Sequence, residues 1–232
     1  MWATVAAALV FAVLAGLGTW QLDRREWKRQ IVDSRTQQIS QPTVEYPDLL
    51  REPDMHLFAM VYRPVRLRGR YRAGDELKLL SRTRNGRPGF HVITPLVTEY
   101  AVGVVMVDRG WVPIDREKDI SPAPSGSVEV EGYVRMLETP GRFTPDNDPG
   151  SGTWFYLDVF QLASALNLDA VAPFYVQLAP GAAPSGVYPE GDVPDIALRN
   201  PHLQYALTWY ALALVLLVIY VIFHLRPRVG ED

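Results

Sequence analysis

The chain has 232 residues, with 23 Lys and Arg against 26 Asp and Glu, a net charge of −3, and no cysteine. Disulfide scaffolds, thiolate metal centres and cysteine nucleophiles are excluded by that composition. With a negative net charge and no basic run interleaved with aromatics, no nucleic-acid partner is expected.

Residues 1–22 contain no charged side chain and are bracketed by Trp2 and Trp20. They exceed the roughly 20 apolar residues that cross a ~30 Å hydrocarbon core. The run lacks a basic segment in front of it and is longer than a signal-peptide core, so a retained anchor is expected. Arg24, Arg25, Lys28 and Arg29 follow. Residues 33–60 carry no clear period, with some helix compatible. Val65, Leu67, Gly69 and Tyr71 alternate with Arg66, Arg68, Arg70 and Arg72, the period of a strand with one basic face. Residues 51–87 hold ten basic and four acidic side chains, and residues 146–199 seven acidic and one basic; they read either as two solvated faces of opposite sign or, for the basic one, as a surface for lipid headgroups, haem propionates or a partner. Asn85-Gly86 joins strand candidates 76–84 and 90–97 as a hairpin, because both turn residues tolerate positive φ; Pro88-Gly89 lengthens the connection or adds a bulge. Further strands are expected over 102–112, stopped by Pro113, over 128–137 and over 174–179. Residues 156–166 predict a helix with Leu157, Phe160, Leu162 and Ala165 on its apolar side. Residues 121–127 and 180–194, rich in Pro, Gly and Ser, read as loops.

Residues 203–225 are uncharged apart from the titratable His224, with Trp209 and Tyr210 near the start and Tyr220 near the end. The expected fold is an α+β membrane protein. Two transmembrane helices, residues 1–22 and 202–225, flank a mostly antiparallel β extramembrane domain, residues 23–201, with a few short helices; residues 226–232 form a tail. Arg226 and Arg228 and the basic cluster after the first span would place the central domain in the cytoplasm on a simple count of positive charge. A domain of that length translocates largely regardless of such charge, so the side stays open on these grounds.

His202 opens the second span, after Asn200-Pro201. An imidazole at a membrane boundary can serve as an axial ligand to haem iron. Tyr205 and Trp209, three and seven positions on, share its helical face and offer flat aromatic surface. The competing reading is an interfacial polar residue with two belt aromatics. Trp20 and Gln21 close the first span at the same membrane side and are candidate neighbours of His202, and Gly18 permits close helix approach. His91 reads as a structural strand residue, His56 lies in an unpatterned region, and His224 suits headgroup contact. Asp108-Arg109-Gly110-Trp111 reads as a strand end with an Asp–Arg pair and a packed tryptophan. Asp146-Asn147-Asp148 lacks the spacing of a calcium loop and reads as a turn. No nucleophile elbow, phosphate loop, zinc-protease or dinucleotide fingerprint is present, so no enzymatic activity is expected.

Several segments, taken together and in order, resemble one family. They are Gly18-Thr19-Trp20-Gln21-Leu22, the run Gly86-Arg87-Pro88-Gly89-Phe90-His91-Val92-Ile93-Thr94-Pro95-Leu96, and Val107-Asp108-Arg109-Gly110-Trp111-Val112-Pro113. Gly132-Tyr133-Val134-Arg135, Trp154-Phe155 and Asn200-Pro201-His202-Leu203-Gln204-Tyr205 follow. The pattern is similar to that of the Surfeit-locus family of cytochrome c oxidase assembly proteins. The resemblance implies an assembly factor for haem–copper cytochrome c oxidase that binds haem a transiently and assists its insertion into subunit I. His202 is implied as the axial ligand of the haem iron, with Trp20, Gln21, Tyr205 and Trp209 lining the site. It also implies a central domain facing the periplasm. The short N-terminus without an Arg- and Ser-rich presequence suggests a bacterial member, in the inner (plasma) membrane and its lipid. The alternative is a scaffold that never holds haem, stabilising subunit I or recruiting the haem a synthase through Arg109-Gly110-Trp111 and the oppositely charged faces of the domain.

Overall fold

The computed structural model describes residues 2–51, 57–100, 103–181 and 186–225. In chain order the elements are α1 (Trp2–Ile39), β1 (Val44–Glu45), α2 (Tyr46–Leu49), α3 (Leu57–Met60), β2 (Pro64–Tyr71), β3 (Leu77–Arg84), β4 (Arg87–Thr98), β5 (Val104–Pro113), a 3-10 turn (Ile114–Asp119), β6 (Val128–Arg135), α4 (Val159–Ala165), β7 (Val171–Leu178) and α5 (His202–Leu225). They fall into two units, a helical one of residues 1–34 with 196–232 and a β-rich one of residues 35–195. His56, Arg226, Arg228 and the rest of the expected tail lie outside the described residues.

In the helical unit, α1 and α5 are each long and apolar enough to cross a membrane. The apolar run of α1 ends at residue 22, but the helix continues to Ile39. Straight-chain helix formers fill that continuation, and Arg29 reaches Glu26 at 4.0 Å and Asp33 at 3.8 Å, pairs one turn apart on a single face. The end of the hydrophobic run therefore does not mark the end of the helix. The two helices run antiparallel. The Tyr220 hydroxyl donates to Thr4 Oγ1 at 3.1 Å near one end, and Gln21 meets His202 at the other. Between them, Gly18 lies buried under the Tyr210 ring, where an added Cβ would come within 2.7 Å of Tyr210 Cε1. A glycine there lets the helices approach.

In the β-rich unit the strand order is β1-β2-β6-β7-β5-β4-β3, and a further pairing of β2 with β4 closes β2, β6, β7, β5 and β4 into a ring. Pairings are antiparallel except β1 with β2 and β5 with β7. Strand side chains alternate between faces. One set (Leu67, Leu96, Val107, Val134, Phe174 and Val176 among them) fills the ring, with Tyr46, Leu49 and Met60 packed against it. Gly132 sits where β6 presses on β7; a Cβ there would lie 2.3 Å from the Gln177 carbonyl oxygen. A second cluster occupies the outer face, where α4 covers Leu79, Met106, Trp154 and Tyr175.

Several local expectations are revised. Asn85 (φ 51°) and Gly86 (φ 77°) form the two-residue hairpin turn, and Arg84 pairs with Arg87 directly across it. Pro88 and Gly89 are therefore strand residues, paired with Thr83 and Arg82. The irregularity lies on the other strand, between Leu79 and Arg82, where Ser81 has a φ of 59°. The helix expected over 156–166 starts only at Val159, because Asp158 takes the cap and accepts the N–H groups of Phe160 at 3.0 Å and Gln161 at 3.2 Å. That phase buries Val159, Leu162 and Ala163 and leaves Phe160 57% exposed, so Phe160 and Ala165 are not on the packed side. The last strand begins three residues early, at Val171.

Of the four arginines of the basic face, Arg66, Arg68 and Arg72 are ion-paired, and Arg70 is exposed. Arg66 pairs with Glu45 at 3.1 Å, Glu129 at 3.2 Å and Glu131 at 2.5 Å, and Arg68 pairs with Glu129 at 3.0 Å. Arg72 pairs with Asp75 at 2.7 Å. The neighbouring strand β6 carries its glutamates in register with Arg66 and Arg68, and the hydrogen bonds that the Arg66 guanidinium donates to Glu131 and Glu45 hold it above its ordinary pKa.

Candidate functional site

Gln21 closes the apolar run of α1 and His202 opens α5, and antiparallel packing brings them to one level. His202 Nδ1–H donates to Gln21 Oε1 at 2.6 Å. An amide oxygen only accepts, so Nδ1 carries the proton and the neutral imidazole keeps its lone pair on Nε2. Nε2 is shielded from solvent and has no hydrogen-bond partner among the described residues. A buried polar atom left unpaired costs about 1–3 kcal/mol. An imidazole tied through one nitrogen to an oxygen acceptor and open at the other is the arrangement in which histidine ligates metals.

The junction is held by three more polar ties. Pro201 stands just before α5, and its carbonyl accepts the first amide bonds of the helix, from Gln204 at 3.0 Å and Tyr205 at 3.4 Å. Asn200 Nδ2 donates to the Arg25 carbonyl at 3.1 Å, Lys28 Nζ to the Arg199 carbonyl at 2.9 Å, and the Thr19 and Tyr210 hydroxyls lie 3.1 Å apart. The last three cross from the α1 side to the α5 side, so the register of His202 against Gln21 is fixed from above and below.

Of the residues expected around His202, Gln21 alone touches it through a hydrogen bond. Trp20 is 56% and Tyr205 53% exposed, Trp209 is half-buried, and no hydrogen bond or ring contact joins these three to His202 among the described residues. The charges of Lys28 and Arg24 do reach the imidazole. Arg24 stacks over the Trp27 ring at 3.8 Å. These two cations were not among the expected site residues, although the signal was present: they stand three and seven positions after Gln21, on the same face of α1.

The other motifs resolve differently. Asp108 pairs with His91, whose Nδ1 lies 2.8 Å from Asp108 Oδ2, and not with Arg109. Arg109 is 6% exposed and turns to Glu76 at 3.5 Å and to the carbonyls of Ser121 and Pro122 at 2.9 and 3.2 Å. Successive strand residues point to opposite faces, which separates Asp108 from Arg109. Trp111 is packed as expected, its Nε1 donating to the Arg82 carbonyl at 3.3 Å. Asp148 forms a turn, accepting the amides of Gly150 at 3.1 Å and Ser151 at 3.3 Å. At the far end of α5, His224 donates to the Tyr220 carbonyl at 3.0 Å and stacks on the Tyr220 ring, with centroids 4.1 Å apart.

Comparison with known proteins places these features in context. The model of the SURF1 family matches residues 8–214. The chain is similar to Surfeit locus protein 1 of Takifugu rubripes, 33% identical over 224 residues, 88% of this chain and 89% of the relative. It is also similar to the Surfeit locus protein 1 of Mus musculus, 32% identical over 88% of this chain and 70% of the relative. The Homo sapiens protein of that name is 32% identical over 85% and 69%.

Proposed function

Since this chain belongs to the SURF1 family, we propose that it is a membrane-bound assembly factor for haem–copper cytochrome c oxidase, taking haem a as transient cargo and assisting its insertion into subunit I. The observation that carries this reading is His202: its Nδ1 proton is committed to Gln21 and its Nε2 is buried without a partner. His202 would supply an axial ligand to the iron through Nε2. Arg24 and Lys28, whose charges act on the imidazole, would face the negative propionates. Trp20, Tyr205 and Trp209 offer exposed or half-buried aromatic surface to a flat macrocycle. The haem a synthase is the partner from which such cargo would come. The same reading sets residues 23–201 on the periplasmic side of a bacterial plasma membrane.

The test is the visible spectrum of the protein purified in detergent from cells that make haem a, beside His202→Ala. A haem spectrum in the wild type that is lost in the variant is the expected result. A wild type without haem, from cells in which haem a is demonstrably present, would overturn the carrier role and leave the scaffold reading. For topology, an alkaline phosphatase reporter inserted in the 121–127 loop should be active and one after residue 225 inactive; the reverse pattern would refute the orientation.

The scaffold alternative rests on Arg109-Gly110-Trp111 and on the oppositely charged faces of the domain, of which the arginines of β2 are part. With Arg66 and Arg68 neutralised by glutamates of the neighbouring strand and Glu45, that face offers little net charge to a partner, and the haem-carrying reading is favoured.

A further inference from the structure

The loop between β6 and α4 holds an apolar side chain out in solvent. Phe143 is 92% exposed, and among the described large apolar side chains only Trp2, at the start of α1, comes near it at 89%. A lone exposed apolar residue is ordinary on a loose loop, but this loop is not loose. Residues 139–146 are clamped at both ends to one segment. At the start, Glu138 pairs with Arg82; its amide donates to the Leu157 carbonyl at 2.9 Å and its carboxylate accepts the Leu157 amide at 3.2 Å. At the end, Asn147 accepts the amides of Phe155 at 2.8 Å and Tyr156 at 3.3 Å, and donates to the Tyr156 carbonyl and to Gln161 Oε1, both at 3.1 Å. Between these clamps Thr144 closes a turn twice. Its amide donates to the Gly141 carbonyl and its hydroxyl oxygen accepts the Gly141 amide, each at 3.0 Å. Pro140 and Pro145 flank the turn and restrict the backbone further. Arg142 and Phe143 are its two central residues, both exposed, with the guanidinium 5.8 Å from the centroid of the phenyl ring. Ordering such a turn costs conformational entropy, and what it presents is an apolar ring and a cation.

The loop springs from the side of the β-rich unit where the chain enters and leaves it. Arg35, the first residue of the unit, lies over the Tyr62 ring, 5.4 Å from its centroid, and Arg135 lies over the same ring at 5.0 Å. Arg135, Glu138 and Asp195, the last residue of the unit, line one cavity. Only six residues, 196–201, then lead to α5. A protruding ring of this kind suits either a pocket on another protein or the soft surface of a bilayer, and size decides between them. A stable protein interface takes about 800 Å² from each partner, whereas one aromatic side chain supplies about 150–250 Å². That is too little to hold a separate protein. It is enough to add a foothold to a chain already anchored by its spans, because anchoring keeps the lipid surface at high effective concentration.

We propose that this turn is an interfacial anchor that holds the β-rich unit on the bilayer surface, with Phe143 inserted below the lipid headgroups and Arg142 at the level of their phosphates. An arginine suits that place, since its stem lies along apolar surface while its charge stays among polar groups. The inference uses the membrane-spanning character of α1 and α5 and stands independently of the haem-carrying reading.

The experiment uses the full chain in nanodiscs of phosphatidylcholine with a quarter phosphatidylglycerol. Because the chain has no cysteine, a single nitroxide can be placed on Phe143→Cys. A label on Leu212→Cys, within α5, serves as the hydrocarbon reference, and free nitroxide in buffer as the water reference. Power saturation in electron paramagnetic resonance compares collisions with oxygen, which concentrates in hydrocarbon, and with a water-soluble nickel chelate. The label at 143 should favour oxygen over nickel, as the label at 212 does. A ratio like that of free nitroxide would overturn the proposal. Protection from both reagents would reassign the turn to a protein contact and refute the bilayer. The label replaces the ring, so a second one on Thr139→Cys reports with Phe143 in place. There Phe143→Asp should raise the nickel collisions at least threefold, and an unchanged value would refute the anchor. Phe143 is almost wholly exposed, so Phe143→Asp should leave the thermal midpoint in detergent unchanged; a fall would mark the ring as structural and also refute it.

Discussion

Replacing Gln21 by leucine removes the acceptor of His202 Nδ1 without changing His202. The bond is 2.6 Å long, and leucine is close in size to glutamine. Two effects add. The Nδ1–H loses its partner, and the imidazole becomes free to rotate and to exchange its proton between nitrogens, so that the lone pair no longer stands on Nε2 alone. Loss of such a supporting partner typically weakens metal affinity by about 10–100-fold, or about 1.4–2.7 kcal/mol. The assay is titration of the detergent-solubilised apoprotein with ferric haem, followed in the Soret band. Gln21→Leu should raise Kd by that factor, whereas Gln21→Glu, which still accepts from Nδ1, should keep the affinity within a fewfold. In the His202→Ala background the Gln21→Leu change should cost nothing, since its effect passes through the imidazole; this is the double-mutant test of the coupling. An affinity within twofold of wild type for Gln21→Leu, or the same loss with and without His202, would refute the reasoning.

Three further outcomes follow from the geometry. Gly132→Ala forces a Cβ to within 2.3 Å of the Gln177 backbone oxygen; because backbone cannot swing aside, the expected cost is about 1–3 kcal/mol, read as a lowered denaturant midpoint at unchanged slope. Arg66→Glu sets a fourth carboxylate beside Glu45, Glu129 and Glu131; thermal unfolding should come earlier in low salt, and the loss should shrink as salt screens the repulsion. Burial raises the Tyr46 and Tyr71 hydroxyls to about 12. The folded state therefore holds protons that the unfolded state releases above pH 10, and their stabilisation, complete below pH 10, is lost as pH rises through about 12. The alkaline unfolding limb, followed by circular dichroism, should be shallower in Tyr46→Phe, and an unchanged limb would count against that assignment.

What could be read from the sequence was local. A span shows itself as 20 or more residues without charge, a hairpin as Asn85-Gly86, and a half-buried strand as the alternation of 65–72; each needs only neighbours in the chain. The phase of α4 escaped because a single cap, Asp158, outweighs the apolar pattern that suggested an earlier start. The length of α1 escaped because the hydrophobic run and the helix obey different rules, one set by the bilayer and the other by helix propensity and pairs one turn apart. Charge was misread for a longer-range reason. Arg66 looks unopposed until β6 brings Glu129 and Glu131 beside it from more than 60 residues away. Asp108 looks like the partner of Arg109 until the strand turns them to opposite faces.

The candidate site divides in the same way. His202 stands out in the sequence because Asn200-Pro201 fixes it at the start of a span. Which of its nitrogens is free does not stand out, because that depends on Gln21, 181 positions earlier. The pairing of the two is a matter of helix register. Gly18 admits the Tyr210 ring, the Thr19 and Tyr210 hydroxyls meet a turn below the site, and Lys28 and Asn200 tie the chain above it. A slip of one residue along α1 would replace Gln21 by Trp20 or Leu22, neither of which offers an acceptor to Nδ1. The unpaired nitrogen on α5 is thus defined by contacts on α1, the close approach at Gly18 together with these polar ties, and the short motif Gly18-Thr19-Trp20-Gln21 carries both the packing surface and the acceptor within four residues.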